Sequence, residues 1–303
     1  MGNETAEMCA EKAAMQNSTN IYSVMATLDY NRAEPCIVRE TAHWAVVYKP
    51  PHLPTAPLRA DERNTLVYWF LHSDEVQKQS AEYGLRSREA QVRGKKTIEA
   101  GLLHRLDTDT RGLVLFAKDQ AVYDFLAARQ EAGQIIKTYY AFVSPDTAET
   151  VAKTMRPLPY TVISQFRNFG PGAKRVVPVF PGSRHYKKDG RLYTTVIEAA
   201  DILPSPPQGG EQYALFQNND GQSLVRVRCR LSRGYRHQVR AHLAAAGLPI
   251  VGDPLYAPQG AEAQPESAQV SLQLYAVSLE FPDPENPQRN ILVALPPPDR
   301  MNP

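Results

Sequence analysis

The sequence predicts a fold that mixes helices and strands, and three observations carry that expectation. Apolar runs of strand length recur, with Leu113–Ala117 and Ile135–Val143 the clearest. Leu224–Arg230 alternates Val225, Val227 and Cys229 with Arg226, Arg228 and Arg230, the period of a half-buried strand with a cationic outer face. Val122, Phe125, Leu126 and Arg129 instead fall at helical spacing, with Gly133 placed to end the helix. A chain of 303 residues is long enough for one large domain or two modest ones with a sizeable core.

Taken in order, residues 1–35 are polar and weakly patterned and end at Ala33-Glu34-Pro35, so they are expected to form an extension or loose arm ahead of a main domain at 36–303. Ile37–Tyr48 reads as a strand pair around a short turn, stopped by Lys49-Pro50-Pro51. Leu66–Leu71 is apolar on every side, so its periodicity fits a buried helix or a buried strand equally. Residues 86–96 set Arg86, Arg88, Arg93, Lys95 and Lys96 against the single acid Glu89, a basic loop suited to phosphate or to plain solvent.

The next segment, GLLHRLDTDTRGLVLFAK at 101–118, is the most informative. Asp107 follows the pair His104-Arg105 and precedes an apolar strand. A carboxylate at the mouth of a strand beside basic groups stays ionised and can act as a nucleophile; a surface salt bridge is the plain alternative. Along the strand at 135–143, Lys137 and Tyr139 share one face and Tyr140 points to the other. Between Phe166 and Arg191 seven Lys and Arg, among them Lys174 and Arg175, face the single acid Asp189 and interleave with aromatic residues. That mixture suits an RNA-facing surface, where bases stack as phosphates are neutralised, and equally two hairpins with basic tips. Residues 203–222 read as a long loop. In GYRHQVRAHLAAAGLPIVGDPLY at 234–256, Arg236 and Arg240 are spaced to share a helix face, as are Val239 and Leu243, and Gly247 ends the helix. No acid stands near that cationic helix start, so its counter-ion must come from elsewhere, with Asp107 or a phosphate as candidates.

Composition narrows the classes. There are 34 Lys and Arg against 32 Asp and Glu, a formal net charge of +2, so any electrostatic footprint is local rather than global. Cys9, Cys36 and Cys229 are too few and too scattered for a disulfide framework or zinc cluster. The N-terminus lacks an apolar signal core and no stretch nears about 20 apolar residues, which points to a soluble cytoplasmic protein. Met1-Gly2 is not a myristoylation signal, because Ala6 stands where Ser or Thr is wanted.

HRLDTDTRGLVLFAK, KTYYA, GYRHQVRAHLAAAGLPIVGDPLY and the closing ALPPPD resemble, in order and spacing, the motifs of RluA-type pseudouridine synthases. KPPHLPT also looks like the lysine-proline segment near the start of that family's catalytic domain, and the resemblance covers about residues 36–300. Residues 1–35 do not look like the small S4 RNA-binding domain that many members carry. The resemblance implies an α+β fold with a long, mixed, mainly antiparallel bent sheet, flanked by helices and loops, around a central cleft. It implies isomerisation of a uridine in rRNA or tRNA on a flipped-out nucleotide, with Asp107 as the catalytic aspartate, Tyr139 against the target base and Arg240 paired with the aspartate. His104, Arg105, Lys137, Arg236, His237, Lys95, Lys96, Lys174 and Arg175 are the expected RNA contacts. No cofactor, metal, membrane or obligate protein partner is implied, and the chain is expected to be a monomer. Four positions depart from the family pattern: Arg111 where Ser is usual, Tyr235 for the usual arginine, the new Arg236, and Tyr275 for His. Two rivals stand beside this reading. Asp107-Thr108-Asp109-Thr110 resembles the start of aspartyl-phosphate phosphatases, although there the apolar strand precedes the acid rather than follows it. A non-catalytic RNA-binding factor built on the same scaffold is the other.

Overall fold

The computed structural model describes residues 21–73, 92–143, 158–202, 225–256 and 270–299, and these fall into two compact units. One comprises the residues up to Lys137 together with Ala276–Pro296; the other comprises Thr138–Tyr275 and the residues after Pro296. Both are built on strands, with few helices, so the fold is α+β. The loops expected at 203–222 and over Arg86–Glu89 lie outside the described residues.

In the first unit the expected strand pair is present as β2 (Cys36–Glu40) and β3 (Trp44–Lys49), antiparallel, and β3 pairs in turn with β4 (Arg111–Ala117). Every residue of β3 and β4 is buried, which is why both read as apolar runs up to Lys49 at the end of β3 and from Leu113 onward in β4. Gly112 of β4 has φ of 132°, and a Cβ there would strike the backbone of Ala276, so only glycine permits this approach. Leu66–His72 is a helix, α1, capped by the Thr65 hydroxyl accepting from the Tyr68 amide. Phe70 of α1 stacks on Phe116 of β4, ring centroids 4.2 Å apart. The helix expected after β4 is α2 (Gln120–Glu131), with Asp119 accepting from the Val122 amide at its start and Leu126 fully buried. Gly133, at φ 73°, ends it, and the Gln134 amide closes onto the Arg129 carbonyl.

Residues ahead of β2 are tied into this unit. β1 (Ile21–Met25) pairs in parallel with β11 (Asn290–Ala294), which pairs antiparallel with β10 (Leu274–Pro282). Tyr30 is buried. Its hydroxyl donates to the Pro296 carbonyl at 2.5 Å, and its own carbonyl accepts from the Tyr48 hydroxyl at 3.0 Å and from Arg111 Nη1 at 3.3 Å. Arg111, the departure from the family pattern next to Gly112, is fully buried behind this contact.

In the second unit β6 (Tyr160–Phe169) pairs antiparallel with β7 (Arg175–Val179) on one side and β8 (Tyr193–Ile202) on the other. β8 pairs with β9 (Val225–Leu231), and β5 (Ile136–Val143) lies beyond β9. β9 alternates as expected, with Val225, Val227, Cys229 and Leu231 buried. Its arginines are not a bare cationic face: Arg228 and Arg230 reach Glu198 of β8 at 3.1 and 3.5 Å, and Arg226 reaches Asp201 at 3.1 Å. Burial pushes the Cys229 thiol pKa up, so it behaves as a small core residue.

The predicted helix in 234–256 is α3 (Gln238–Ala245), and it starts after Arg236 but includes Arg240. His237 takes a left-handed conformation, φ 55°, which leaves Arg236 outside the helix. The expected sharing of one helix face by Arg236 and Arg240 therefore does not occur; the two guanidiniums have separate partners. Among the described residues no helix is long and apolar enough to cross a membrane.

Candidate active site

Asp107 sits half-buried in a tight turn closed by the Thr110 amide donating to the Asp107 carbonyl at 3.1 Å. The turn is gripped from both sides by the KPPHLPT segment. The Thr55 hydroxyl donates to the Leu106 carbonyl at 2.7 Å and accepts from the Leu106 amide at 3.1 Å, so one side chain satisfies both main-chain polar groups of that residue. Lys49, fully buried at the end of β3, donates at 2.8 Å to three carbonyls, those of Pro50, Leu53 and Thr108. Three acceptors match the three N–H bonds of an ammonium group. Burial lowers the Lys49 pKa to about 7, opposed by the charges of Asp109 and Asp107 and reinforced by Arg111. His52 Nδ1 lies 3.2 Å from Asp109 Oδ1, so the second acid of the turn has a surface partner.

The basic neighbours of Asp107 divide. Arg105 is exposed, with Glu99 at 4.0 Å. His104 turns inward: its Nε2 accepts from the Leu115 amide at 3.3 Å, and burial, with Lys137 nearby, holds its pKa well below the usual histidine range. Lys137 is itself buried, its pKa lowered to about 8 by desolvation. Lys137 presents no surface for RNA phosphates, which corrects the expectation for that residue; His104 is half-buried, with its Nε2 turned to the Leu115 amide. Lys95 and Lys96 are exposed.

In the second unit, Tyr139 and Tyr140 lie side by side on β5 and both are buried, with Arg226 stacked 5.4 Å over the Tyr140 ring. Arg240 of α3 is 3% exposed and chelates Asp253: Nε to Oδ2 and Nη2 to Oδ1, each 2.7 Å. Asp253 follows Gly252, whose φ of 73° and contact with the backbone of Ser271 leave no room for a side chain. Its Oδ1 also accepts from the Leu255 and Tyr256 amides. The acid that neutralises Arg240 thus stands thirteen residues on, within the GDPLY segment, where an acid-free helix start was expected. Tyr256 continues the network, its ring 5.4 Å beneath Arg240 and its hydroxyl bonded to both polar groups of Val176. His237 Nδ1 lies 3.2 Å from that hydroxyl.

Arg236, expected as an RNA contact, is a strut. Its Nη2 donates to Asn168 Oδ1 at 2.9 Å and to the Ala173 carbonyl at 2.6 Å, holding the β6–β7 turn. Beneath it, His242 is wholly buried between the hydroxyls of Ser164 and Thr195 at 2.8 and 2.9 Å. Desolvation lowers its pKa to about 3, so it is a neutral packing residue. Phe166 is stacked between His242 and Tyr235, centroids 4.9 Å from each. Tyr235 thus has a packing role where the family has arginine. Lys174 is exposed, and Arg175 is half-buried with Nη1 directed at the Leu255 carbonyl at 3.4 Å.

Among the described residues no group of three or more His, Cys, Asp or Glu could hold a metal ion. A phosphatase reading of Asp107-Thr108-Asp109 would need such a group beside the turn.

The family model "RNA pseudouridylate synthase" matches residues 43–245. A protein called an uncharacterized RNA pseudouridine synthase from Chloroflexus aurantiacus is 30% identical over 54% of this chain and 40% of its own length. Ribosomal large subunit pseudouridine synthase D of Pseudomonas aeruginosa is 25% identical over 73% of this chain and 52% of its own. The matches thus span well under two thirds of these relatives. Among solved structures, human RNA pseudouridylate synthase domain containing 1 is similar in fold, with a TM-score of 0.54 and 21% identity over 89% of this chain and 85% of that one.

Proposed function

The chain belongs to the RNA pseudouridylate synthase family, and we propose that it isomerises a uridine in rRNA or tRNA to pseudouridine, with Asp107 as nucleophile. The observation that carries the assignment of Asp107 is the double grip on its turn by Thr55 and Lys49. Residues 36–303 are the proposed catalytic region. The reaction breaks the N1–C1′ bond of the uridine and forms a C5–C1′ bond. The C5 proton is lost and N1 regains one, so product and substrate have the same atoms and electrons, and no co-substrate is consumed. A stacked base is out of reach of a side chain, so the nucleotide leaves its helix first, at a cost of a few kcal/mol.

Asp107 attacks the substrate, and Tyr139 lies against the uracil. Arg240, already oriented by Asp253, is the arginine that the family motif assigns as partner of the catalytic aspartate. Arg105, Lys95, Lys96, Lys174 and Arg175 hold the RNA backbone. The name of the Pseudomonas relative favours ribosomal RNA as the first substrate to test.

The test is Asp107→Asn, which keeps shape and hydrogen bonding but removes the nucleophile. Pseudouridine formation on RNA isolated from cells lacking this gene is expected to fall by about three orders of magnitude or more, with an unchanged melting curve. Modification at the wild-type rate would remove Asp107 from the mechanism.

A further inference from the structure

β6 has two functionally different faces. Its even-numbered residues Ser164, Phe166 and Asn168 point to α3 and to Arg236, as their contacts show. Its odd-numbered residues therefore point the other way. Gln165 stands opposite Val179, Arg167 opposite Val177 and Phe169 opposite Arg175 across the ladder, and directly opposed residues share a face. At the hairpin end this produces an uncommon surface. Phe169 is 37% exposed, and the guanidinium carbons of Arg175 and Arg167 lie 4.7 and 5.1 Å from its ring centroid.

Two like charges on one ring repel each other, and no acid among the described residues pairs with either arginine. The neighbourhood adds more cations than acids: Lys174 lies beside them in the turn, and the following loop sets Lys187 and Lys188 against the single acid Asp189. Both segments are held firmly. Arg236 bonds the turn at Asn168 and Ala173, and the Gln165 side chain accepts from the Lys187 amide at 2.9 Å while donating to the carbonyls of Lys187 and Gly190. A guanidinium lying on a ring has its position fixed, Arg175 being held further by Nη1 directed at the Leu255 carbonyl at 3.4 Å, and the remaining N–H groups of the two arginines suit capture of a phosphate. Because the cations are placed beforehand, little side-chain entropy is lost on binding.

We propose that Arg167, Phe169 and Arg175 form a clamp for neighbouring phosphates of the RNA backbone, with the phenyl ring as the spacer between two phosphate-binding guanidiniums. The clamp deepens the proposed function and rests on it, in that its occupant is the substrate RNA. It adds Arg167 and Phe169 to the RNA-binding surface and assigns Arg236 to the support beneath it.

The experiment measures binding of the full chain to a labelled oligouridylate between about 50 and about 200 mM salt. The double variant Arg167→Gln/Arg175→Gln is expected to flatten the slope of log K against log salt by about 0.7 per arginine. Arg167→Lys/Arg175→Lys keeps the charges and is expected to retain the slope. Phe169→Leu is expected to weaken binding about two- to fivefold with the slope unchanged, because it only frees the arginines. An unchanged slope in the glutamine pair, with an unchanged melting curve, overturns the clamp. Pseudouridine formation by the wild-type protein is measured in parallel on RNA from cells lacking the gene. If it occurs while the slope does not respond, the clamp fails and the enzymatic reading stands. If it does not occur while the slope falls as expected, the clamp stands and the enzymatic reading fails.

Discussion

The Asp107 turn and the Arg240 helix are anchored through different groups. Around Asp107 the grip falls on the backbone: Thr55 takes both polar groups of Leu106, and Lys49 takes the carbonyl of Thr108. Around Arg240 the grip falls on the side chain itself, through a buried bidentate carboxylate that is in turn bonded to two amides. Under the proposed mechanism, the group that would form and break bonds is the one located through its turn, and the arginine is the one fixed at its charge.

Three substitutions sharpen or break this contrast. Asp253→Asn removes the charge that compensates Arg240 and is expected to cost about 3–5 kcal/mol of stability, because it leaves a buried guanidinium uncompensated. Urea unfolding measures it, and a loss under about 1 kcal/mol would show that Arg240 does not depend on its side-chain partner. Thr55→Val keeps the shape but strands the main-chain polar groups of Leu106, at about 1–3 kcal/mol. Its signature in steady-state assays is a fall in kcat with KM nearly unchanged; a change confined to KM would mean that the grip serves binding instead.

The smallest effect is a pH dependence. With its folded pKa lowered to about 7, Lys49 binds fewer protons in the fold than in the unfolded chain between about pH 7 and the ordinary lysine range. Its contribution to stability therefore rises with pH across that window, by at most about 1.4 kcal/mol per pH unit. Urea titrations of wild type and Lys49→Met across that range should diverge in slope. Parallel curves would show that the three carbonyls hold the ammonium charge at its ordinary strength.

What the sequence could and could not reveal follows from the same contrast. β9 and α2 were legible because their side chains repeat with the period of the element, and Gly133 marks a stop that needs a left-handed residue. Leu66–His72 was undecidable because its apolar residues leave no polar face to give the period. The roles of Lys49 and Thr55 were hidden although their segment stood out, since their partners are main-chain groups that carry no sequence signal. Asp253 was overlooked because only the turn at Gly252 brings it back to α3. His237 cut the helix short by adopting a conformation that its residue type rarely shows, which detached Arg236 from Arg240 and gave it to the β6–β7 turn.

Tyr30 ties the residues ahead of β2 into the first compact unit. The carbonyl of this residue is an acceptor for Arg111, four residues after Asp107, while its hydroxyl closes onto Pro296 near the other end of the chain. Domain shuffling that joined a foreign leader at residue 36 would remove a hydrogen-bond acceptor from a fully buried guanidinium. The stretch from Ile21 to Pro35 and the arginine at 111 are thus mechanically coupled, since replacing the first removes an acceptor from the second.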